Sequence, residues 1–282
     1  MFVMGLQVPG SITASKVNSF KECGLAFRLS VIEKIPQPPT VWTIRGTLTH
    51  LALERFYFNY EPQNRTRELA VEIVDQVWNE LDEKHELGRL LFCEDPICQP
   101  KVLLNETKQL VLADFDAEDP TSIIAIGTEL RLETKLGDTI LRGVIDRLDL
   151  NSDGSLTVTD YKTGRLPDRA QENERLAGVM FYALLCEKVL GVRPKSVQLV
   201  YLREATCIVT EPTDSMMKGL ENRTEAIWRA VCNACAKEDF RPRPSKICKF
   251  CAYQELCPAQ GGSLDHLDEF RELHGVQPKR SC

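Results

Sequence analysis

The sequence has no apolar run approaching the roughly 20 residues that a membrane-spanning helix needs, so no such helix is expected. The segment 1–10 has no basic leader and does not read as a signal peptide, which makes the cytoplasm the expected compartment. Positive charge is not in excess. A formal charge of −6 excludes a wholesale basic surface, and any contact with nucleic acid must use a local strip. Metal-binding carboxylates would themselves lower the total. No Gly-x₄-Gly-Lys-[Ser/Thr] segment occurs, so no nucleotide-driven motor is built in. Internal repeats and low-complexity tracts are also missing. What remains is a chain of 282 residues that is 43% apolar, enough for one large core or two small ones.

Helical spacing and capping predict a first helix over 11–35, ended by Pro36, Pro38 and Pro39. Further helices are expected over 45–60, 67–86 and 101–115. The texture then changes to strands at 122–136, 139–150 and 155–163. Asn151-Ser152-Asp153-Gly154 is a strong turn signal, so the last two strands should form an antiparallel hairpin. A helix over 171–190, a strand over 196–202 pairing with 207–210, and a helix over 213–237 follow. This order indicates a mixed α/β domain.

The hairpin carries the chemistry. With a strand period of two, Val144, Asp146 and Leu148 share a face, as do Leu156, Val158, Asp160 and Lys162. A hairpin centred on the turn sets Asp146 roughly across from Asp160. Two like charges placed so are destabilising, and burying them is costlier. A divalent cation between them removes the conflict, and oxygen ligands suit Mg²⁺ or Mn²⁺. Lys162 projects onto the same face, where it could orient or deprotonate water or stabilise charge on a phosphate. The bland alternative is a structural hairpin with a solvated acidic face and a surface ion pair.

These residues resemble the PD-(D/E)XK superfamily, specifically its RecB-type nuclease domain, with the motifs in family order. Gly46-Thr47-Leu48-Thr49-His50-Leu51-Ala52-Leu53-Glu54 resembles the helix with the family histidine. Gly143-Val144-Ile145-Asp146-Arg147 and Asp160-Tyr161-Lys162-Thr163-Gly164 resemble the two acidic motifs. The resemblance implies an α/β core with a mixed central sheet flanked by helices, as a single domain over 1–282. Its N-terminal helices would lie in 11–60, its catalytic sheet in 120–210 and a cysteine tail in 244–258. It implies that His50, Asp146, Asp160 and the carbonyl of Tyr161 hold the metal and that Lys162 is the catalytic lysine. Glu54, one helical turn from His50, could support that site or a second ion. The family's Gln-x-x-x-Tyr motif is incomplete, because Tyr182 matches but Gly178 stands at the glutamine position. Tyr182 would position DNA or pack in the core.

Of eleven cysteines, five crowd 232–257, which suggests metal ligation in a reducing compartment. Cys248-x-x-Cys251-x₅-Cys257 lets three thiolates converge, and a closed site needs a fourth ligand. The resemblance supplies Cys23, and with it a [4Fe–4S] cluster held by Cys23, Cys248, Cys251 and Cys257. Here Gly24 follows Cys23, where relatives commonly have proline. A rival is zinc held by Cys232, Cys235, Cys248 and Cys251. If Cys232 and Cys235 lie on the apolar face of a helix, they are packing residues instead. Cys93, Cys98, Cys186, Cys207 and Cys282 suggest no role.

Arg241, Arg243, Lys246 and Lys249, interleaved with Phe240, Phe250 and Tyr253, could contact phosphates and stack bases, or could be a solvated loop. The expected activity is a metal-dependent DNA exonuclease acting on single-stranded ends in repair or recombination. A separate helicase could accompany it. The alternative is a non-catalytic DNA-binding or scaffold subunit that kept the fold. The sequence does not fix the oligomeric state.

Overall fold

The computed structural model describes residues 5–37, 39–85 and 99–273. Glu86, where the third predicted helix is expected to end, lies outside them, as do Pro38, Cys93, Cys98 and Cys282. The chain divides into two compact units. One comprises 39–134 and 143–218, here the sheet unit. The other comprises 1–38, 135–142 and 219–282, here the tail unit. Among the described residues no helix is long and apolar enough to cross a membrane.

The elements in chain order are α1 (Ala14–Glu22), α2 (Gly24–Phe27), α3 (Val41–Asn59), α4 (Arg67–His85), α5 (Pro100–Ala117), β1 (Ala125–Leu136), β2 (Thr139–Leu150) and β3 (Leu156–Lys162). Then come α6 (Arg169–Leu190), β4 (Ser196–Tyr201), β5 (Thr206–Thr210), α7 (Asp214–Lys237) and α8 (Leu267–Leu273). The five strands form one mixed sheet in the order β1-β2-β3-β4-β5, with β2–β3 and β4–β5 antiparallel and β3–β4 parallel. The parallel pair requires a crossover, and α6 provides it. The fold is therefore the expected α/β arrangement.

In the sheet unit, α3, α4 and α5 share a core with Tyr161, Val200 and Leu202 of the sheet and its edge. Helix α3 begins earlier than predicted because Thr40 and Thr43 form a reciprocal capping box. The β2–β3 turn forms as read. Gly154 takes φ +80°, and Asp153 accepts from the Ser155 amide at 3.0 Å.

Arg147 is wholly buried on the hairpin. Its Nε donates to Asp149 at 2.8 Å, and its Nη2 donates to both Glu118 oxygens at 3.0 Å. Its Nη1 also meets the Tyr161 hydroxyl, and its guanidinium lies 4.3 Å from the Tyr57 ring centroid. Arg147 is therefore inside the protein and out of reach of a phosphate.

The first predicted helix is corrected. Residues 11 and 12 are extended, and Ile12 bridges Leu141, with the Arg142 amide donating to Ile12 at 2.9 Å. Cys23 then breaks the helix with an extended backbone (φ −160°, ψ 114°). A Cβ on Gly24 would stand 3.1 Å from the Arg241 carbonyl, so a small residue suits this crossing. After α2 the chain continues as one π-helical turn over Arg28–Ile32. In the tail, Phe240 and Tyr253 are buried, and the Tyr253 hydroxyl donates to Ile35 at 2.9 Å. Neither can stack on a base, contrary to the reading of that strip. Phe250 is exposed, with Lys249 over its ring.

Beside the Arg147 network the Tyr57 hydroxyl donates to Asp114 Oδ2 at 2.6 Å, while Oδ1 is buried with no hydrogen-bond partner among the described residues. Burial pushes the Asp114 carboxyl up to about 7, against the pull of Arg147. The folded state therefore holds this proton more tightly than the unfolded chain, where the pKa is near 4. The stabilisation is complete below about pH 4 and is lost as pH rises through about 7. Between pH 4 and 8, wild type should lose stability relative to Asp114→Asn, by up to a few kcal/mol. Parallel urea titrations across that range check this, and a pH-independent difference would refute it.

Candidate functional site

The site lies in the sheet unit, where the β2–β3 ladder ends. Regular pairing runs from Leu150–Leu156 to Arg147–Thr159. The next step of that register would pair Asp146 with Asp160, and regular pairing stops before it. There the ladder gives way. The Tyr161 amide donates to Asp146 Oδ2 at 2.8 Å, so a side chain takes a hydrogen bond of the kind a strand carbonyl usually accepts. Asp146 is fixed by its neighbour's backbone, and the buried Tyr161 phenol is fixed by Arg147 on the other side.

His50 comes to the same place from α3. Its Nδ1 is 3.4 Å from Asp146 Oδ2, and its ring meets the Tyr161 ring edge-on. Lys162 forms a close ion pair with the buried Asp160 Oδ2. His50, Asp146, Asp160 and Lys162 are thus brought together. Glu54 is half-buried nearby, and its charge helps raise the Glu129 carboxyl. Tyr182 is half-buried on α6 and packs over Gly143. A Cβ there would stand 3.0 Å from the Tyr182 ring and 2.5 Å from Leu185.

Sequence reasoning missed Glu129. Ligand atoms of His50, Glu129 and Asp146 all lie within 4.8 Å of one another. Glu129 sits within β1 at φ +44°, a backbone region that a non-glycine residue occupies only at a cost. No motif marks it, because the cue is a backbone angle. Asp160 is outside this tight group and is engaged by Lys162 instead.

The electrostatics describe a pocket short of positive charge. Burial raises the Asp160 carboxyl, and Asp146 adds to this against Lys162. Burial raises Glu129 too, with Asp146 and Glu54 adding to it. Tyr182 is raised by burial and by Asp160, Asp146 and Glu129. Burial would lower His50 and Lys162, but their carboxylate partners outweigh it and both are raised. An imidazole nitrogen with carboxylate oxygens is a fitting donor set for a divalent cation, which would relieve the repulsion.

The tail unit holds a second constellation. Cys23, Cys248, Cys251 and Cys257 line one cavity with Leu29 and Tyr253. Burial raises the Cys251 thiol, and the other three thiols add to it, which reflects their proximity. The Arg243 amide donates to Cys23 Sγ at 3.5 Å, and the Ser245 amide donates to Cys248 Sγ at 3.2 Å. Four thiols lining one cavity are a candidate ligand set for an inorganic centre. Cys235 is instead buried in an apolar cluster with Phe27, Val231 and Phe240.

A family model described as the PD-(D/E)XK nuclease superfamily matches residues 11–258. The gene 69 protein of Mycobacterium phage D29 is 24% identical over 280 residues, covering 87% of this chain and 96% of that protein. A crystal structure of a candidate exonuclease from Eubacterium rectale superposes with a TM-score of 0.56 at 9% identity, covering 86% of this chain and 88% of the other. The latter likeness is one of fold.

If Glu129 is a ligand, Glu129→Gln should weaken Mn²⁺ binding by at least about tenfold, with the fold intact. Calorimetric titration of both proteins reads this directly. Equal affinities would remove Glu129 from the metal site.

Proposed function

The chain belongs to the PD-(D/E)XK nuclease superfamily, and from that premise we propose that it is a metal-dependent deoxyribonuclease acting as an exonuclease on single-stranded DNA ends in repair or recombination. The observation that carries this reading is the gathering of His50, Glu129, Asp146, Asp160 and Lys162 where the β2–β3 ladder ends. His50, Asp146, Asp160 and Glu129 would hold Mg²⁺ or Mn²⁺, with the Tyr161 carbonyl as a further ligand. When bound, the ion supplies charge neutralisation for the scissile phosphate and a more acidic water. Lys162, held against Asp160, orients the attacking water or stabilises charge on the phosphate oxygens. Tyr182, packed on Gly143 beside the carboxylates, orients the strand. Strand separation would fall to a separate helicase.

Gly178 in place of the usual glutamine favours a second reading, a non-catalytic DNA-binding subunit. End-labelled single-stranded DNA incubated with Mn²⁺ separates the two. Wild type should degrade it, while Asp160→Ala and Lys162→Met should be slower by about 10²–10⁴-fold. Equal behaviour of wild type and Asp160→Ala would overturn the enzyme reading.

We also propose that Cys23, Cys248, Cys251 and Cys257 hold a [4Fe–4S] cluster, supported by their shared cavity and by amide donors to two of the sulfurs. Its role would be structural, since it closes a loop of over 200 residues. Protein purified without oxygen should be brown, and Cys257→Ser should lose both the colour and thermal stability. A colourless wild type that carries zinc would refute the assignment.

A further inference from the structure

The face of α3 that carries His50 also carries an exposed tryptophan. Trp42, Gly46, His50 and Glu54 are spaced by four and line one side of the helix. Eight residues separate Trp42 from His50, about 12 Å along the axis at 1.5 Å per residue. Trp42 is 54% exposed, a large apolar surface to leave in water. It is also pinned. The Arg45 guanidinium lies 4.7 Å from its ring centroid, and Arg45 is itself buried and paired with Glu106 at 2.5 Å. One face of the indole thus rests on a fixed cation while the ring stays open to solvent.

Gly46, midway between Trp42 and His50, ties this platform to the site. A Cβ there would stand 3.6 Å from Thr163 Oγ1, so the end of β3, one residue past Lys162, abuts α3 at that level. Two exposed cations lie at the same end of the sheet. Arg203 donates to the Thr163 carbonyl at 3.3 Å, and Arg165 follows two residues later. An aromatic ring held flat over one cation, about 12 Å along the helix from a candidate phosphodiester site, suits a nucleobase whose own ring is unstacked.

We propose that Trp42 is a stacking platform for an unpaired base close to the cleaved phosphate, and that it favours single-stranded over duplex DNA. The inference rests on the nuclease reading, and it specifies the substrate through a residue outside the motifs. Base faces are covered inside a duplex and free in a single strand, so the discrimination follows from stacking alone. Arg45 fixes the ring in advance, which limits the ordering cost of binding.

Oligothymidylate titrated into the full-length protein in EDTA, read by tryptophan emission, tests this without cleavage. Wild type should be quenched. Trp42→Phe should bind with little loss but show no quenching, since Trp78 and Trp228 remain as controls. Trp42→Ala should weaken single-strand binding by about 5- to 150-fold and leave binding to a blunt duplex of equal length nearly unchanged. Quenching that persists in Trp42→Phe, or unchanged single-strand affinity in Trp42→Ala, would overturn the platform. Parallel Mn²⁺ assays with wild type and Asp160→Ala keep the two ideas apart. Cleavage without a Trp42 effect sinks only the platform. Quenching and weakened binding in a protein that never cleaves sink only the nuclease reading.

Discussion

The register between β2 and β3 is the constraint on which the rest depends. A slip of one residue would turn every side chain on one strand to the opposite face and separate Asp146 from Asp160. Two features oppose the slip. The Asn151–Gly154 turn fixes the loop length, and the buried Arg147 guanidinium binds Asp149, Glu118 and Tyr161 at once. A buried cation with that many acceptors has one satisfactory position. Moving it would strand carboxylates inside the protein, at a cost of about 3–5 kcal/mol for a broken pair. One side of the hairpin is therefore locked by neutralised charge so that the other can display charge in excess.

That excess is the chemical content of the site. Burial and mutual repulsion raise Asp160 and Glu129, and Glu129 is held at an unfavourable backbone angle besides. Where the ladder stops, Asp146 takes over the Tyr161 amide, so opening the strands leaves no orphaned donor at that point. The repulsion costs stability in the protein alone, and a cation among the oxygens would relieve it. Strain and repulsion of this kind are features that folding by itself would not select.

Much of this could be read from the chain. The hairpin, its turn, the two aspartates and the lysine follow from alternation and turn chemistry, and the order of helices and strands gave the α/β class. The misses have physical causes. Glu129 was invisible because its place beside His50 and Asp146 comes with a positive φ within a strand. The first helix was drawn too long because a single extended residue, Cys23, does not disturb a helical stripe. Phe240 and Tyr253 looked available for stacking because composition does not reveal which aromatics a short tail buries. The Arg147 network was not legible because its partners Glu118 and Tyr57 come from distant segments.

The charge of the chain bears on how it would hold DNA. A total of −6 and a pocket lined with carboxylates give little of the counterion-release affinity that basic proteins use. Stacking supplies binding free energy that salt does not screen, on the order of 1–3 kcal/mol per base. An acidic nuclease with a few local cations therefore gains more from one well-held aromatic ring than a basic one would. It would also gain selectivity, because a duplex presents no free base face and its denser phosphates would meet the same repulsive pocket. Arg45 beneath the indole and Arg203 at the end of β3 would then support a stacked strand, with no need of an extensive basic groove.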